Sequence, residues 1–291
     1  MARLGGVNGE AVARRAGSSR ASNFHFALRL LPRAQRAAVD AVYAFCRAVD
    51  DAVDLAATPE DARRDLIEWR HELDRVYGGT PIHPVGRALA PVVAAYRLPR
   101  EHFDELLLGV AMDIGRPRYQ TFQELSRYAY RVASTVGLLC LPIFGCDGEA
   151  ARRYAIERGL SLQFTNIIRD VKPDAARDRI YLPREDLDAF GYTEEELLGG
   201  LHTPAFERLM AFECRRARET HARARALLPD PKRLLAPEIM GLTYEALLDR
   251  IEASGYRLWD APIRLPTATK AAIAVRAWWR AGRGDQNGLS G

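Results

Sequence analysis

Apolar residues recur at three- and four-residue spacing along most of the chain, the period of a helix with one buried face. From Arg33 to Leu55 the positions Val39, Val42, Tyr43, Cys46 and Val49 share a side, and Pro32 suits the first turn. The same reading predicts helices from Pro59 to Tyr77, Pro84 to Tyr96 and Arg100 to Ile114, the last with Phe103, Leu106, Leu107 and Val110 in phase. Gly78-Gly79-Thr80-Pro81 ends the second of these. Phe122 to Phe144 is long and strongly apolar after Val132. Glu149 to Asp170 follows, then a polar stretch through Arg179. Residues 204–228 and 236–254 read as helix again, divided by Pro229-Asp230-Pro231. Strand-like alternation is confined to the neighbourhood of Ile263 to Leu265. The pattern predicts one all-α domain, without internal repeats or a low-complexity tract.

Composition adds bounds. The chain has 291 residues, 48% hydrophobic and 27% charged, which suits a globular protein and excludes a disordered one. Forty-two Lys and Arg against 38 Asp and Glu leave +4, too weak an excess to call for a nucleic acid partner. No run of about 18 apolar residues suggests a membrane span. Met1 to Gly17 carries Arg3, Arg14 and Arg15 without an apolar core, so it does not read as a secretory signal. Residues 1–15 are expected to be a disordered lead-in, and 266–291 a basic tail. Cys46, Cys140, Cys146 and Cys214 form no CxxC pair and no zinc-like spacing with His, which suits reduced, buried thiols in a cytoplasmic protein.

Two constellations carry chemistry. In Tyr43-Ala-Phe-Cys-Arg47-Ala-Val-Asp50-Asp51-Ala-Val-Asp54, the carboxylates of Asp50 and Asp54 lie one helical turn apart on one face. Arg47 lies near that face, and Asp51 is rotated away by about 100°. Like charges at this spacing destabilise a bare helix and call for solvent or a cation to compensate. Mg²⁺ takes carboxylate oxygens and commonly shares its shell with phosphate. The alternative is an acidic solvated face.

In Gln163-Phe-Thr-Asn166-Ile-Ile-Arg169-Asp170-Val-Lys-Pro-Asp174, the residues Asn166, Asp170 and Asp174 repeat every four positions. If helical throughout, they form an oxygen-rich stripe suited to Mg²⁺. Pro173 is a candidate helix breaker just before Asp174. Arg177, Arg179 and Tyr181 follow, and these arginines suit phosphate. The alternative is a helix end followed by a charged loop. Taken together, two acidic stripes flanked by arginines suit a diphosphate held between metal ions, with the apolar runs beyond them lining a hydrocarbon pocket.

These motifs resemble the squalene/phytoene synthase branch of the trans-isoprenyl diphosphate synthases. So do Tyr128-Ala-Tyr-Arg-Val-Ala-Ser-Thr-Val-Gly137 and Ser22-Asn-Phe-His-Phe-Ala-Leu-Arg-Leu-Leu-Pro32, and the likeness spans about 16–265. The resemblance implies a single-domain isoprenoid synthase helical bundle around a central cavity. By the same resemblance, Asp50, Asp54, Asn166, Asp170 and Asp174 bind two or three Mg²⁺ ions together with prenyl diphosphates. Arg47, Arg169 and Arg179 hold phosphate oxygens; Tyr43, Tyr181 and Tyr244 lie near the diphosphates; Tyr128 and Gln163 line the cavity. The implied reaction joins two identical prenyl diphosphates head to head. The wording of the motifs is most similar to bacterial presqualene diphosphate synthases of hopanoid pathways, which stop at the cyclopropyl diphosphate and need no NADPH. Phytoene synthase, squalene or dehydrosqualene synthase, and a non-catalytic assembly protein are the alternatives.

The chain departs from the family pattern twice. Lys172-Pro173 replaces a usual Gly-Glu, and Ala261 occupies a position where relatives commonly carry Arg. The first departure puts the placement of Asp174 in question. Greasy products and the basic stretches Arg33–Arg36 and Arg276–Arg283, the latter with Trp278 and Trp279, suit peripheral contact with the inner face of a membrane as well as they suit a solvated surface. Neighbouring isoprenoid-pathway enzymes are the implied protein partners.

Overall fold

The structure is a computed structural model in which residues 27, 28 and 30–283 are described. The expected lead-in and residues 22–26 of the opening segment lie outside them. Thirteen α-helices follow from residue 33 onward: α1 (Arg33–Asp54), α2 (Pro59–Tyr77), α3 (Pro84–Tyr96), α4 (Arg100–Ala111), α5 (Phe122–Ala129), α6 (Thr135–Phe144), α7 (Gly148–Arg169), α8 (Val171–Ala175), α9 (Arg184–Phe190), α10 (Glu194–Leu198), α11 (Pro204–Ala226), α12 (Leu235–Ala253) and α13 (Thr267–Arg283). There is no strand among the described residues, including around Ile263.

Local chemistry sets many of the helix ends. Thr58, Thr121 and Thr203 each accept a hydrogen bond from a backbone N–H of the first turn. Thr193 and Glu196 cap α10 reciprocally. Burial then selects the faces. On α1, Val39, Val42, Phe45 and Val49 are at most 1% exposed, each contributing roughly 1.5–3 kcal/mol on burial. They belong to a core shared with α2, α3, α4 and α6. A second core gathers side chains of α5, α7, α11 and α12. Helix α7 packs along α11 and also against α6 and α12, so it joins the two halves.

Three elements differ from the sequence pattern. The apolar stretch 122–144 is not one regular helix: Tyr130–Ser134 forms a π-helical turn between α5 and α6. The close approach of α7 accompanies it, for a Cβ on Gly159 would stand 2.5 Å from Ser134 Cα. The second stripe also breaks, because Asp170 leaves helical geometry at φ −97° and ψ 12° before α8 begins. Finally, the segment set apart as a basic tail contains α13, whose Ala274 and Ala277 pack with Ala236 and Ile239 and whose Ala281 is also buried. Small residues at three- and four-residue spacing suffice to bury that face, and the arginines drew attention from them. No helix among the described residues is long and apolar enough to cross a membrane.

Candidate active site

Both acidic stripes lie at helix C-terminal ends, Asp50 and Asp54 in the last turns of α1, Asp170 just after α7. A helix C-terminus concentrates negative partial charge, so carboxylates there need cations. Arginines supply them. Arg179 Nη1 donates to Asp54 Oδ1 at 2.7 Å, and Arg177 Nη1 to Asp54 Oδ2 at 3.1 Å. Arg169 binds Asp170 with two donors, Nε at 2.7 Å and Nη2 at 2.6 Å. Arg47 pairs at 3.0 Å with Asp51, the carboxylate that the spacing turns away from the stripe, because the i,i+4 relation favours it.

The loop that carries Arg177 and Arg179 is held by a clamp. Arg118 donates to the carbonyl of Asp178 at 2.9 Å and to its carboxylate at 2.7 Å, while its Nε reaches Glu194 at 3.0 Å. Asp178 adopts φ +56°, a left-handed conformation that Asp tolerates better than bulky residues. This turn sits between the two arginines that reach Asp54.

Lys172-Pro173 leaves Asp174 hydrogen-bonded through its backbone to Asp170. The backbone N–H of Asp174 bonds to the Asp170 carbonyl at 2.9 Å, one turn earlier. Pro173 falls in the first turn of α8, where its missing N–H removes little. Lys172, two positions after Asp170, turns off the stripe and donates to the carbonyls of Trp259 at 2.6 Å and Asp260 at 3.1 Å. The two departures from the family pattern therefore meet in space: Lys172 grips the backbone immediately before Ala261.

Below the acidic level, Gln163 and Asn166 are buried, each 9% exposed, with Asn166 Nδ2 donating to Gln163 Oε1 at 3.3 Å. Asn166 Oδ1 is buried without a hydrogen-bond partner in the structure. A buried carbonyl oxygen left unsatisfied is costly, and a hard cation relieves that cost. The donor set of Asn166 with Asp170, Asp174, Asp50 and Asp54 consequently fits Mg²⁺ in chemical kind. Among the described residues no three acidic, His or Cys side chains form a ready-made metal cluster. Asp54 and Asp170 are engaged by arginine instead, which suits an ion that arrives with a phosphate able to take those arginines over.

Sequence reasoning missed one central residue. Asp113, just beyond α4, accepts from Tyr128 at 2.8 Å and from Tyr181 at 2.6 Å. The rings of Tyr128 and Tyr181 stack with centroids 5.2 Å apart, and Tyr119 packs against both. Burial pushes the Asp113 carboxyl up to about 6, against the two phenols and Arg179, which lower it. Burial likewise raises Tyr128 and Tyr181. An Asp ending the apolar run Phe103 to Val110 was the available signal. Tyr43 on α1 is raised by burial, with Arg47, Asp50 and Tyr244 among its electrostatic neighbours. Tyr244 itself is 4% exposed on α12. The structure thus links Asp54 with Arg179, Asp113 with Tyr128 and Tyr181, and Tyr43 with Arg47 and Tyr244.

This all-helical fold is that of the squalene synthase-type isoprenoid synthases. The squalene/phytoene synthase family profile matches residues 18–270, and the chain belongs to that family. It is 36% identical over 277 residues to a 15-cis-phytoene synthase from Synechocystis sp., covering 90% of this chain and 82% of that protein. It is 37% identical over 262 residues to a phytoene synthase from Mycobacterium tuberculosis, covering 88% and 86%. Among solved structures it is similar to squalene synthase HpnC from Alicyclobacillus acidocaldarius, with 34% identity, TM-score 0.75 and coverage of 84% and 94%. It also superposes on a ligand-bound dehydrosqualene synthase with 25% identity, TM-score 0.82 and coverage of 94% and 95%. The family is one of prenyltransferases that act on prenyl diphosphates.

Proposed function

We propose that the protein condenses two molecules of farnesyl diphosphate into presqualene diphosphate. The head-to-head chemistry is that of the family, and the observation that supports a diphosphate site is the reach of Arg177 and Arg179, from beyond the second motif, to Asp54 of the first. That contact supports reading the two acidic stripes as walls of one anion-binding site. Mg²⁺ held by Asp50, Asp54, Asn166, Asp170 and Asp174 supplies charge neutralisation for the diphosphates. Arg47, Arg169 and Arg179 bind phosphate oxygens and favour departure of one diphosphate, leaving an allylic cation. Tyr43, Tyr181 and Tyr244 flank the diphosphates. The double bond of the second substrate attacks the cation, two carbon–carbon bonds close the cyclopropane, and one proton leaves. Products are presqualene diphosphate, diphosphate and a proton, so no NADPH enters. Tyr128 and Gln163, both buried, are assigned to the lining of the hydrocarbon space.

The motif wording and the likeness to HpnC support a C15 substrate. A second reading, phytoene synthase acting on geranylgeranyl diphosphate, is favoured by the names of the curated relatives. The products formed from each substrate separate the two. On α13, Val275, Trp278 and Trp279 are more than half exposed beside Arg276 and Arg280. This face suits peripheral contact with an anionic bilayer, a reading that flotation with anionic vesicles tests; absence of binding contradicts it.

A further inference from the structure

Asp113 lies outside both acidic motifs, and the chemistry above does not use it. It is nevertheless the point where three separate parts of the chain meet. Tyr128 comes from α5, Tyr181 from the loop that follows the second motif, and Asp113 from the end of α4. Each phenol donates to a different carboxylate oxygen, at 2.8 and 2.6 Å. A carboxylate that accepts from both fixes the direction of both O–H bonds. Their protons point at Asp113, so the remaining lone pairs point elsewhere, and each oxygen carries more negative charge than a phenol hydrogen-bonded to water. Tyr119 completes the aromatic wall, 5% exposed. The charged groups that act on Asp113 are Arg179 and Asp54, the pair that joins the two motifs.

We infer that Asp113 is a positioning residue that orients and polarises Tyr128 and Tyr181 beside the developing cation. The inference rests on the head-to-head reading of the site. Burial alone does not explain the arrangement: an apolar residue at 113 would fill the same space at no cost in desolvation, and two phenols are spent on holding a carboxylate there. A negative charge kept within a dry site is useful where positive charge appears during reaction. It is poorly placed for binding diphosphate, which it repels. The role should therefore show in kcat and spare KM.

The test compares the native protein with Asp113→Asn and Asp113→Glu in steady-state turnover of farnesyl and geranylgeranyl diphosphate. Rates are normalised to folded protein by circular dichroism. Asp113→Asn keeps the size of the side chain, removes its charge and turns one acceptor into a donor. It is expected to lower kcat at least tenfold and to change KM less than threefold. It is also expected to abolish an acid limb of the native kcat profile near pH 6. Asp113→Glu restores the charge and is expected to recover part of kcat. Equal kcat per folded molecule in native protein and Asp113→Asn would overturn the assignment while leaving the head-to-head reading intact. So would a loss confined to KM, or one that Glu does not improve on. A native protein that turns over neither substrate removes the head-to-head reading and the Asp113 role with it.

Discussion

Arg179 and Asp54 stand 125 positions apart in the chain and 2.7 Å apart in space. Arg179 also lies within electrostatic range of Asp113 and Tyr181, and its own side chain is only 13% exposed. A largely buried guanidinium between carboxylates suits the trade of one oxyanion for another. On the proposed reading, a diphosphate entering between α1 and the loop after α8 would compete with Asp54 for Arg177 and Arg179.

Removing either partner tests that trade. Asp54→Ala and Arg179→Ala are each expected to lower kcat/KM by about 10²–10³, the scale of losing one preorganised electrostatic contact to a developing charge. Asp50→Ala and Asp170→Ala should abolish turnover. The helical circular dichroism of all four should match the native protein, because these side chains lie at helix ends or, for Arg179, in a loop, and not in the cores. Unfolded variants would contradict a role in binding and turnover alone.

Lys172-Pro173 makes a separate prediction. Replacing the pair by Gly-Glu is expected to leave activity equal or higher, since Lys172 points away from the stripe. Stability should fall by about 1–2 kcal/mol, because the ammonium no longer binds the carbonyls of Trp259 and Asp260. Denaturant melts alongside turnover separate the two effects. A large loss of activity without loss of stability would give Lys172 a chemical role.

The π-helical turn depends on Gly159. In Gly159→Ala the new Cβ would meet Ser134 Cα at 2.5 Å and Ser134 N at 2.6 Å, both backbone atoms. The helices must separate, at an expected cost of about 1–3 kcal/mol. Thermal unfolding reads that cost as a lower melting temperature; an unchanged melt would contradict the packing.

Much of the site was legible in the sequence because its residues recur at helical spacing. The pairs Asp50 and Asp54, and Asn166 and Asp170, announce faces without any knowledge of the fold. Asp113 and Tyr119 could not be read this way. They lie in the connection between α4 and α5; Asp113 continues the phase of Phe103, Leu106 and Val110, but nothing local names its partners, and the meaning of both comes from residues far along the chain. The helix end at Asp170 was legible, since the apolar pattern stops there and Pro173 follows. The π-helical turn was hidden: it accompanies a close approach between elements, whereas periodicity reports only the faces of each element. The same holds for α13, where Ala274 and Ala277 gain meaning only once α12 covers them.

The buried Asp113 carboxyl predicts a sign for stability against pH. Its folded value, about 6, lies above the usual 3.8, so folding favours the protonated form. The corresponding stabilisation is present below about pH 4 and lost as pH rises through 6. Asp113→Asn does not titrate. Its stability relative to the native protein should therefore rise between pH 4 and pH 7, by roughly 3 kcal/mol at most. Urea midpoints across that range check it; a difference independent of pH would contradict a raised Asp113.

The central claim is tested by incubating the purified protein with Mg²⁺ and either farnesyl or geranylgeranyl diphosphate, without reductant, and identifying products by mass spectrometry. The account predicts a C30 cyclopropyl diphosphate from farnesyl diphosphate. C40 phytoene from geranylgeranyl diphosphate, with farnesyl diphosphate left untouched, would contradict the assigned substrate and establish the second reading. Consumption of neither, with the diphosphates still bound, would contradict catalysis itself.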